Sequence, residues 1–219
     1  MKYIKLYGIQ RSGTNFVQVL FRQNFVDVRV FDNTFGWKHG KPLTINGMEK
    51  WMDKKNRRQK LGDLFSKIRK NQCLYPCVII KNPYSWYQSI KKWSSKYGGF
   101  HIERSYANYN KVYKSYKDLY EGKYKNEGIY CDAFILKYED LLRNTKKKVT
   151  EVSNQFGINM KGKFIVPTKV YQSKTFTEQR KKFYLGNGNF GLSDKLIKRI
   201  TDLIDWDLMK FYGYKRLIS

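Results

Sequence analysis

The sequence is poor in acidic residues, cysteine and histidine, and it contains no long apolar run. Its 219 residues include 18 Asp and Glu, 3 Cys and 2 His, against 44 Lys and Arg. No apolar stretch approaches the roughly 20 residues that a membrane-spanning helix needs. The first residues also lack the apolar run and small-residue cleavage site of a signal peptide. We therefore expect a cytoplasmic protein without a membrane span.

The three cysteines do not stand in a metal-binding pattern. Cys73, Cys77 and Cys131 are an odd number, and no further Cys or His pair stands at zinc-ligand spacing. We expect no metal site, and we interpret all three cysteines as reduced, mostly buried thiols.

The excess of positive charge is spread over the whole chain and amounts to a formal net charge of +26. Such a field attracts anionic ligands, including nucleotides, nucleic acids and acidic polymers. A Lys-rich compositional bias explains the same charge equally well. The charge alone therefore assigns no function.

Apolar periodicity alternates between strand and helix spacing along the chain. It predicts strands over residues 3–7, 26–31, 77–80, 134–136 and 164–166, and helices over residues 13–24, 60–70, 83–93, 139–156 and 193–204. Residues 32–46 are expected to be irregular. The alternation predicts an α/β fold with a central, mainly parallel sheet flanked by helices. The length and the absence of a linker or repeat predict a single domain over residues 1–219.

Five tyrosines recur at 3-4-3-4 spacing, which places them on one face of a helix. They are Tyr106, Tyr109, Tyr113, Tyr116 and Tyr120. An aromatic stripe of this kind is more often a packing face than a platform for stacked bases. We therefore expect these side chains to face the core.

The stretch Y-G-I-Q-R-S-G-T-N-F, residues 7–16, joins the first predicted strand to the first predicted helix. Gly8 and Gly13 allow the backbone to fold closely around an anion, so that successive N–H groups turn toward it. The positive end of the following helix points to the same place, and Arg11 adds a permanent cation. The pattern predicts a phosphate-binding loop and a P-loop-type three-layer fold.

The residues after the second glycine are not those of an ATPase or kinase. Such enzymes need Lys and then Ser or Thr, for the phosphates and for Mg²⁺, but this chain has Thr14 and Asn15. The apolar strands at residues 77–80 and 134–136 are also followed by Lys81 and Lys137, where a magnesium-binding Asp would stand. These features disfavour metal-dependent hydrolysis of nucleotides and indicate a site that neutralises phosphate with fixed cations.

A second polar motif, K-N-P-Y-S-W-Y-Q-S, spans residues 81–89. Ligands of open α/β sheets bind at the carboxyl ends of the strands, so Lys81 is expected to point into the same crevice as the glycine loop. Ser89 follows about two helical turns later and could direct its hydroxyl to the same group.

Together these stretches resemble the sulfotransferases that use 3′-phosphoadenosine 5′-phosphosulfate (PAPS). In that family a loop of the type [K/R]-S-G-T-[T/N]-[W/F] binds the 5′-phosphosulfate, and this chain has R-S-G-T-N-F at residues 11–16. The motif R-N-P-x-D-x-x-x-S holds the 3′-phosphate, and residues 81–89 match it, with Lys81 in place of Arg and Ser85 in place of Asp. K-Y-E-D-L-L, residues 137–142, is similar to a third family motif. The carboxyl-terminal R-K-G-x-x-G-x-W-K motif is not present as such. Residues 180–182 (R-K-K) and 186–188 (G-N-G) occupy comparable positions, and we assign no contacts to them.

The resemblance implies a role for each matching residue. Arg11 would stabilise charge on the leaving phosphate, and Lys81 with Ser89 would hold the 3′-phosphate. The remaining nucleotide-binding positions that it implies are Ser12, Gly13, Thr14, Asn15, Phe16 and Tyr138.

Sulfonate transfer to a hydroxyl also needs a base that takes the proton of the acceptor. His39, in F-G-W-K-H-G, stands where the family often places this base, and its ordinary pKa suits the task. The alternative is a loop histidine with a structural hydrogen bond. Lys38 could assist the transferring group or could be a solvated lysine, and His101 has no comparable context.

The sequence thus predicts a PAPS-dependent sulfotransferase with a hydroxyl or amine acceptor, for which an anionic saccharide, a peptide and a small alcohol are the candidate classes. One alternative is a P-loop nucleotide kinase or other phosphotransferase, against which the residues after Gly13 count. The other is a basic nucleic-acid-binding protein, which the net charge and the tyrosine stripe favour and which we regard as the weaker hypothesis.

Overall fold

The computed structural model describes residues 1–54, 57–71, 73–94, 100–170, 174–175, 177–185 and 190–217. Its centre is a four-stranded, all-parallel sheet in the order β2-β1-β3-β4. The strands are β1 (Lys2–Tyr7), β2 (Val28–Phe31), β3 (Leu74–Ile80) and β4 (Phe134–Lys137). Two further short strands, β5 (Lys169–Val170) and β6 (Lys174–Thr175), form an antiparallel pair.

Helices follow the strands and cover the sheet. They are α1 (Thr14–Asn24), α2 (Ile45–Asp53), α3 (Arg58–Asn71), α4 (Pro83–Ser94), α5 (Ile102–Tyr120), α6 (Tyr138–Arg143), α7 (Thr145–Phe156), α8 (Glu178–Leu185), α9 (Asp194–Leu203) and α10 (Trp206–Phe211), with a 3-10 turn at Lys125–Glu127. Among the helices of the described residues, none has both the length and the apolar character of a membrane span.

The two faces of the sheet bury different helices because alternate strand residues point to opposite sides. Tyr3 and Tyr7 of β1 face a large core built with α2 to α5, α9 and α10, whereas Ile4 and Leu6 face a smaller core built with α1, α6 and α7. Both faces of a parallel sheet are covered in this way in three-layer α/β proteins. The predicted α/β fold with a parallel sheet between helices is confirmed.

The strand register brings the functional segments to one edge. Tyr7 lies beside Val78, and Ile80 lies beside Lys137. The carboxyl ends of β1, β3 and β4 therefore meet at the same edge of the sheet. That edge carries the glycine loop, Lys81 and the start of α6.

Several predicted bounds and one predicted strand differ from the structure; β2 begins at Val28 and not at residue 26, and β3 begins at Leu74 and not at residue 77. The helix expected over residues 139–156 is divided into α6 and α7 at Asn144, whose backbone angles are not helical (φ −135°, ψ 59°). Residues 164–166 form no strand, because the N–H and the carbonyl of Ile165 bond the side-chain amide of Asn24 at 2.7 Å each. The segment expected to be irregular ends earlier than predicted, since Thr44 caps α2 by accepting from the N–H of Gly47.

The expectation that all three cysteines are reduced is wrong for two of them. Cys73 and Cys131 form a disulfide with a Cα–Cα distance of 5.6 Å, within the usual range for such bonds. Leu74 and Tyr130, next to them in the chain, are bridge partners in the sheet. This long-range pairing brings the two cysteines together although 58 positions separate them. Cys77 is a buried thiol, and burial raises its pKa.

The disulfide is expected to stabilise the fold. Closing a loop of this length restricts the unfolded chain by about 4 kcal/mol on the chain-entropy account. The double variant Cys73→Ala/Cys131→Ala should therefore lose about that amount in the free energy of unfolding, measured by urea titration. Addition of dithiothreitol should destabilise the wild type and leave the variant unchanged. Identical midpoints for the oxidised and reduced wild type would show that the disulfide contributes nothing.

Candidate functional site

The glycine loop between β1 and α1 has the backbone conformation that its glycines allow. Gly13 has φ 98° and Arg11 has φ 68°. A Cβ at Gly13 would overlap the ring of Tyr138, and a Cβ at Gly8 would lie 2.8 Å from the carbonyl oxygen of Ile79. Both glycines are therefore required by close contacts. The loop is also held from outside, since the indole N–H of Trp86 donates to the carbonyl of Gln10 at 2.8 Å.

The loop presents polar groups that suit an anion. α1 starts at Thr14, directly after Gly13, so the positive end of its dipole lies at the loop. The side chain of Arg11 is exposed. The Ser12 hydroxyl is buried and has no hydrogen-bond partner among the described residues. A buried hydroxyl without a partner is destabilising, and an anion in the loop could supply the missing acceptor.

Lys81, at the end of β3, reaches the same loop. Its Nζ donates to Ser89 Oγ at 2.7 Å and to the carbonyl of Arg11 at 3.4 Å. It also lies 4.0 Å from the ring centre of Tyr184 and 5.3 Å from that of Tyr138. The structure thus brings the side chains of Lys81, Ser89 and Tyr138 to the carbonyl of Arg11 in the glycine loop. Tyr184, which the sequence analysis did not single out, covers the Lys81 ammonium from α8.

Burial makes Lys81 an unusual cation. The residue is 1% exposed, and desolvation lowers its pKa to about 7; the nearby charge of Arg11 acts in the same direction, and the charge of Glu139 opposes it. Near neutral pH the side-chain amine of Lys81 is therefore only partly protonated. An anion that entered the site would favour the charged form.

Glu139 organises the turn that follows Lys81. Its carboxylate, on a residue only 5% exposed, accepts from the Asn82 N–H at 3.0 Å, from the Ser85 hydroxyl at 3.0 Å and from the Tyr214 hydroxyl at 2.8 Å. Ser85 is thus a donor to a carboxylate. An Asp at this position could not donate this bond when ionised and would place a second negative charge beside Glu139. The K-Y-E-D match was the only sequence signal for Glu139.

The segment carrying Lys38 and His39 is clamped to Gly8. The Gly8 N–H donates to the Lys38 carbonyl at 2.9 Å, and His39 Nδ1 lies 2.6 Å from the Gly8 carbonyl oxygen. Because a carbonyl oxygen only accepts, Nδ1 carries the proton and Nε2 is the basic nitrogen. Desolvation lowers the pKa of His39 to about 4, although the bond to Gly8 opposes the shift. His39 is therefore neutral at pH 7.

Lys38 is not a solvated lysine. It is 7% exposed, and its Nζ donates to Asn15 Oδ1 at 2.6 Å and pairs with Asp32 Oδ2 at 3.3 Å. Asn15 lies in the first turn of α1, so Lys38 connects the segment after β2 to the glycine loop. Lys38 and His39 thus both contact the glycine loop, at Asn15 and at Gly8.

Lys5 anchors the same segment and was missed in the sequence analysis. It is fully buried in β1, and its Nζ donates to the carbonyls of Asp32, Thr34 and Gly36 at 2.6, 2.9 and 2.7 Å. Desolvation lowers its pKa to about 7. A lysine inside an apolar strand was the available signal. Its three backbone acceptors lie about 30 positions away and could not be inferred.

The other predicted positions lie as follows. Thr14 is buried beside Gly8, and Phe16 is 3% exposed and packs in the core between the sheet and α1. His101 is exposed and precedes α5. Residues 186–188 lie outside the described part of the chain.

The depressed pKa of His39 predicts a pH dependence of stability. The ordinary pKa of His is about 6.5, so the unfolded chain binds more protons than the folded chain between about pH 6.5 and pH 4. Stability should therefore fall as the pH is lowered through this window, by about 1 kcal/mol per pH unit. Urea titrations should show that His39→Asn removes most of this slope and that the control His101→Asn keeps it. An unchanged slope in His39→Asn would contradict the burial of a neutral imidazole.

Comparison with known proteins assigns no family. No family model and no curated protein matches the sequence. The function must therefore be inferred from the geometry of the loop, Lys81 and His39.

Proposed function

We propose that this protein is a sulfotransferase that moves a sulfonate group from PAPS to a hydroxyl or amine of an acceptor. The observation that carries the proposal is the position of Lys81. A cation stands at the end of β3, where a nucleotide-hydrolysing enzyme has its magnesium-binding Asp, and its Nζ reaches the backbone of the glycine loop and the Ser89 hydroxyl. This arrangement suits a nucleotide with two separate phosphate groups that is bound without a metal.

The glycine loop would bind the 5′-phosphate end of the nucleotide. The start of α1, the Ser12 hydroxyl and the exposed side chain of Arg11 all belong to this loop. Their fixed dipoles and charge suit an anion whose negative charge increases as the bond to sulfur breaks. The side chain of Arg11 is solvent-accessible, so its guanidinium can move toward the oxygen on which this charge increases.

Lys81 and Ser89 would bind the second phosphate. Their mutual hydrogen bond already holds both side chains in place, so little rearrangement of this pair is needed. The ring of Tyr184 covers the ammonium at 4.0 Å and would have to move aside when a phosphate bound there. Tyr138 contacts Gly13 and lies near Lys81, so it would lie between the two bound phosphates.

His39 would act as the base. PAPS supplies an activated sulfonate, and the acceptor oxygen or nitrogen forms a bond to sulfur while the bond to the phosphate oxygen breaks. The basic Nε2 of His39 takes the proton of the acceptor. A pKa of about 4 makes the free imidazole a weak base, but bound negative charge favours its protonated form. The bond from Nδ1 to Gly8 holds the ring in the correct tautomer.

Trp37 is the best candidate for contact with the acceptor. Its side chain is 53% exposed, and its ring meets that of His39 edge to face, with the centres 5.2 Å apart. The carbonyls on both sides of buried Phe35 are held by Lys5, so the segment before Trp37 is fixed. An exposed indole beside the base offers an apolar surface for the ring or chain that carries the acceptor group.

The two rival functions are less well supported. Phosphoryl transfer with Mg²⁺ would need the lysine and the hydroxyl that Thr14 and Asn15 replace. Nucleic-acid binding through stacked bases would need accessible rings, but four tyrosines of the stripe are 0% exposed. These are Tyr106, Tyr109, Tyr113 and Tyr116.

A thermal-shift titration without metal tests the proposal. A saturating amount of 3′,5′-ADP, at about 100 times its dissociation constant, should stabilise the protein by about 2.7 kcal/mol and raise the melting temperature by several degrees. ATP with Mg²⁺, or a single-stranded oligonucleotide, should give a smaller shift. If only ATP with Mg²⁺ or only the oligonucleotide stabilises the protein, the proposal is wrong.

A variant of His39 tests the role of the base separately from nucleotide binding. His39→Asn keeps a side-chain donor for the Gly8 carbonyl but has no basic nitrogen. It should bind 3′,5′-ADP like the wild type and lose about 100-fold or more in the rate of transfer from labelled PAPS. Full transfer activity in this variant would remove His39 from the mechanism.

A further inference from the structure

The tyrosine hydroxyls of α5 bond the backbone of the segment that carries Lys81. Tyr109 donates to the Lys81 carbonyl at 2.7 Å, and the Lys81 N–H donates to the Tyr113 hydroxyl at 2.9 Å. Tyr106 donates to the Pro83 carbonyl at 2.9 Å. Both main-chain polar groups of Lys81 are thus held by one helix, which fixes the direction in which its side chain leaves the strand.

The next tyrosine of the same face bonds the other half of the site. The Tyr116 hydroxyl donates to the carbonyl of Gly40 at 3.2 Å and lies 3.5 Å from that of Lys38. These two residues flank His39. One row of hydroxyls on α5 therefore contacts both the segment with the predicted phosphate cation and the segment with the predicted base.

Packing alone does not explain why these residues are Tyr and not Phe. A buried hydroxyl is tolerated only when it finds a partner, and four such groups lie on one helix face. Neighbouring rings along the row contact one another, with centres 5.8, 4.2 and 5.9 Å apart. The rings are tilted against one another in a continuous row, so packing limits the movement of the hydroxyls relative to each other.

We infer that the tyrosine row of α5 is a positioning device that sets the phosphate-binding lysine and the base relative to each other. Tyr109 and Tyr113 hold Lys81, and Tyr116 holds the segment with Lys38 and His39. The roles of the two segments rest on the proposed function. The hydrogen bonds and their effect on the backbone do not.

Tyr→Phe variants test this inference because they remove a hydroxyl and keep the ring. Tyr109→Phe and Tyr113→Phe should weaken binding of 3′,5′-ADP by about 10-fold, the effect of one lost hydrogen bond, with a smaller change in kcat. Tyr116→Phe should lower kcat by about 10-fold and leave the dissociation constant unchanged. If the hydroxyls had a purely structural role, the variants would lose stability, and no variant would change the dissociation constant without kcat or kcat without the dissociation constant.

Tyr212→Phe is the matched control. Its buried hydroxyl donates to the Tyr113 carbonyl at 2.7 Å, so it bonds α5 but neither segment of the site. It should lose stability like the other variants and keep both constants. If Tyr212→Phe changes the dissociation constant and kcat as much as the others do, or if none of the variants separates the two constants, the inference is overturned.

Amide hydrogen exchange separates a failure of this inference from a failure of the proposed function. Without any ligand, Tyr113→Phe should increase exchange at the Lys81 amide by about 10-fold, and Tyr212→Phe should not. Absence of 3′,5′-ADP binding by the wild type would refute the proposed function, and the exchange result would still decide whether the row holds Lys81. Unchanged exchange in Tyr113→Phe would refute the positioning role.

Discussion

The burial of the Lys81 ammonium at the end of β3 is the constraint around which the site is built. A buried cation is costly unless other groups compensate it, and the hydrogen-bond acceptors of Lys81 are the neutral oxygens of Ser89 and Arg11. The rings of Tyr184 and Tyr138 add attraction of the cation–π kind. The charge of Glu139 favours the ammonium without bonding it directly. The compensation is therefore partial, and a bound phosphate could complete it.

The loop that begins at Gly8 connects Lys81 to the segment of His39. The loop that begins at Gly8 includes the Arg11 carbonyl, which accepts from Lys81, while Gly8 itself bonds the backbone of Lys38 and the ring of His39. A side chain at Gly8 would collide with the loop and with β3. The absence of a side chain thus allows three segments from distant parts of the sequence to meet within hydrogen-bond distance.

Part of this arrangement could be predicted because it depends on local sequence. The strand, loop and helix around Gly8 and Gly13 follow from periodicity, and Lys81 comes directly after a predicted strand. The parallel α/β sheet is confirmed, and its shared carboxyl edge explains why the loop and Lys81 meet. The tyrosine stripe was predicted to face the core, which is confirmed for its first four members, whereas Tyr120 is 48% exposed.

The parts that could not be predicted depend on contacts between distant segments. Lys5 donates to carbonyls, Glu139 accepts from three donors and Cys73 bonds Cys131. All of these partners lie tens of positions away in the sequence, and no local pattern specifies them. The side-chain amide of Asn24 bonds the N–H and the carbonyl of Ile165, which prevents the strand that the apolar residues there favour. The hydrogen bonds of the tyrosine row could not be predicted either, because the spacing of the tyrosines predicts the helix face on which they lie but not the partners of their hydroxyls.

Calorimetry of 3′,5′-ADP binding tests most directly whether Lys81 is the phosphate-binding cation. At pH 8 a lysine with a pKa of about 7 is mostly neutral, and a bound phosphate dianion raises that pKa. Binding should therefore take up close to one proton, seen as a dependence of the binding enthalpy on the ionisation enthalpy of the buffer. Lys81→Met should abolish this uptake. Binding by the wild type without proton uptake at pH 8, or equal uptake in Lys81→Met, would contradict the account.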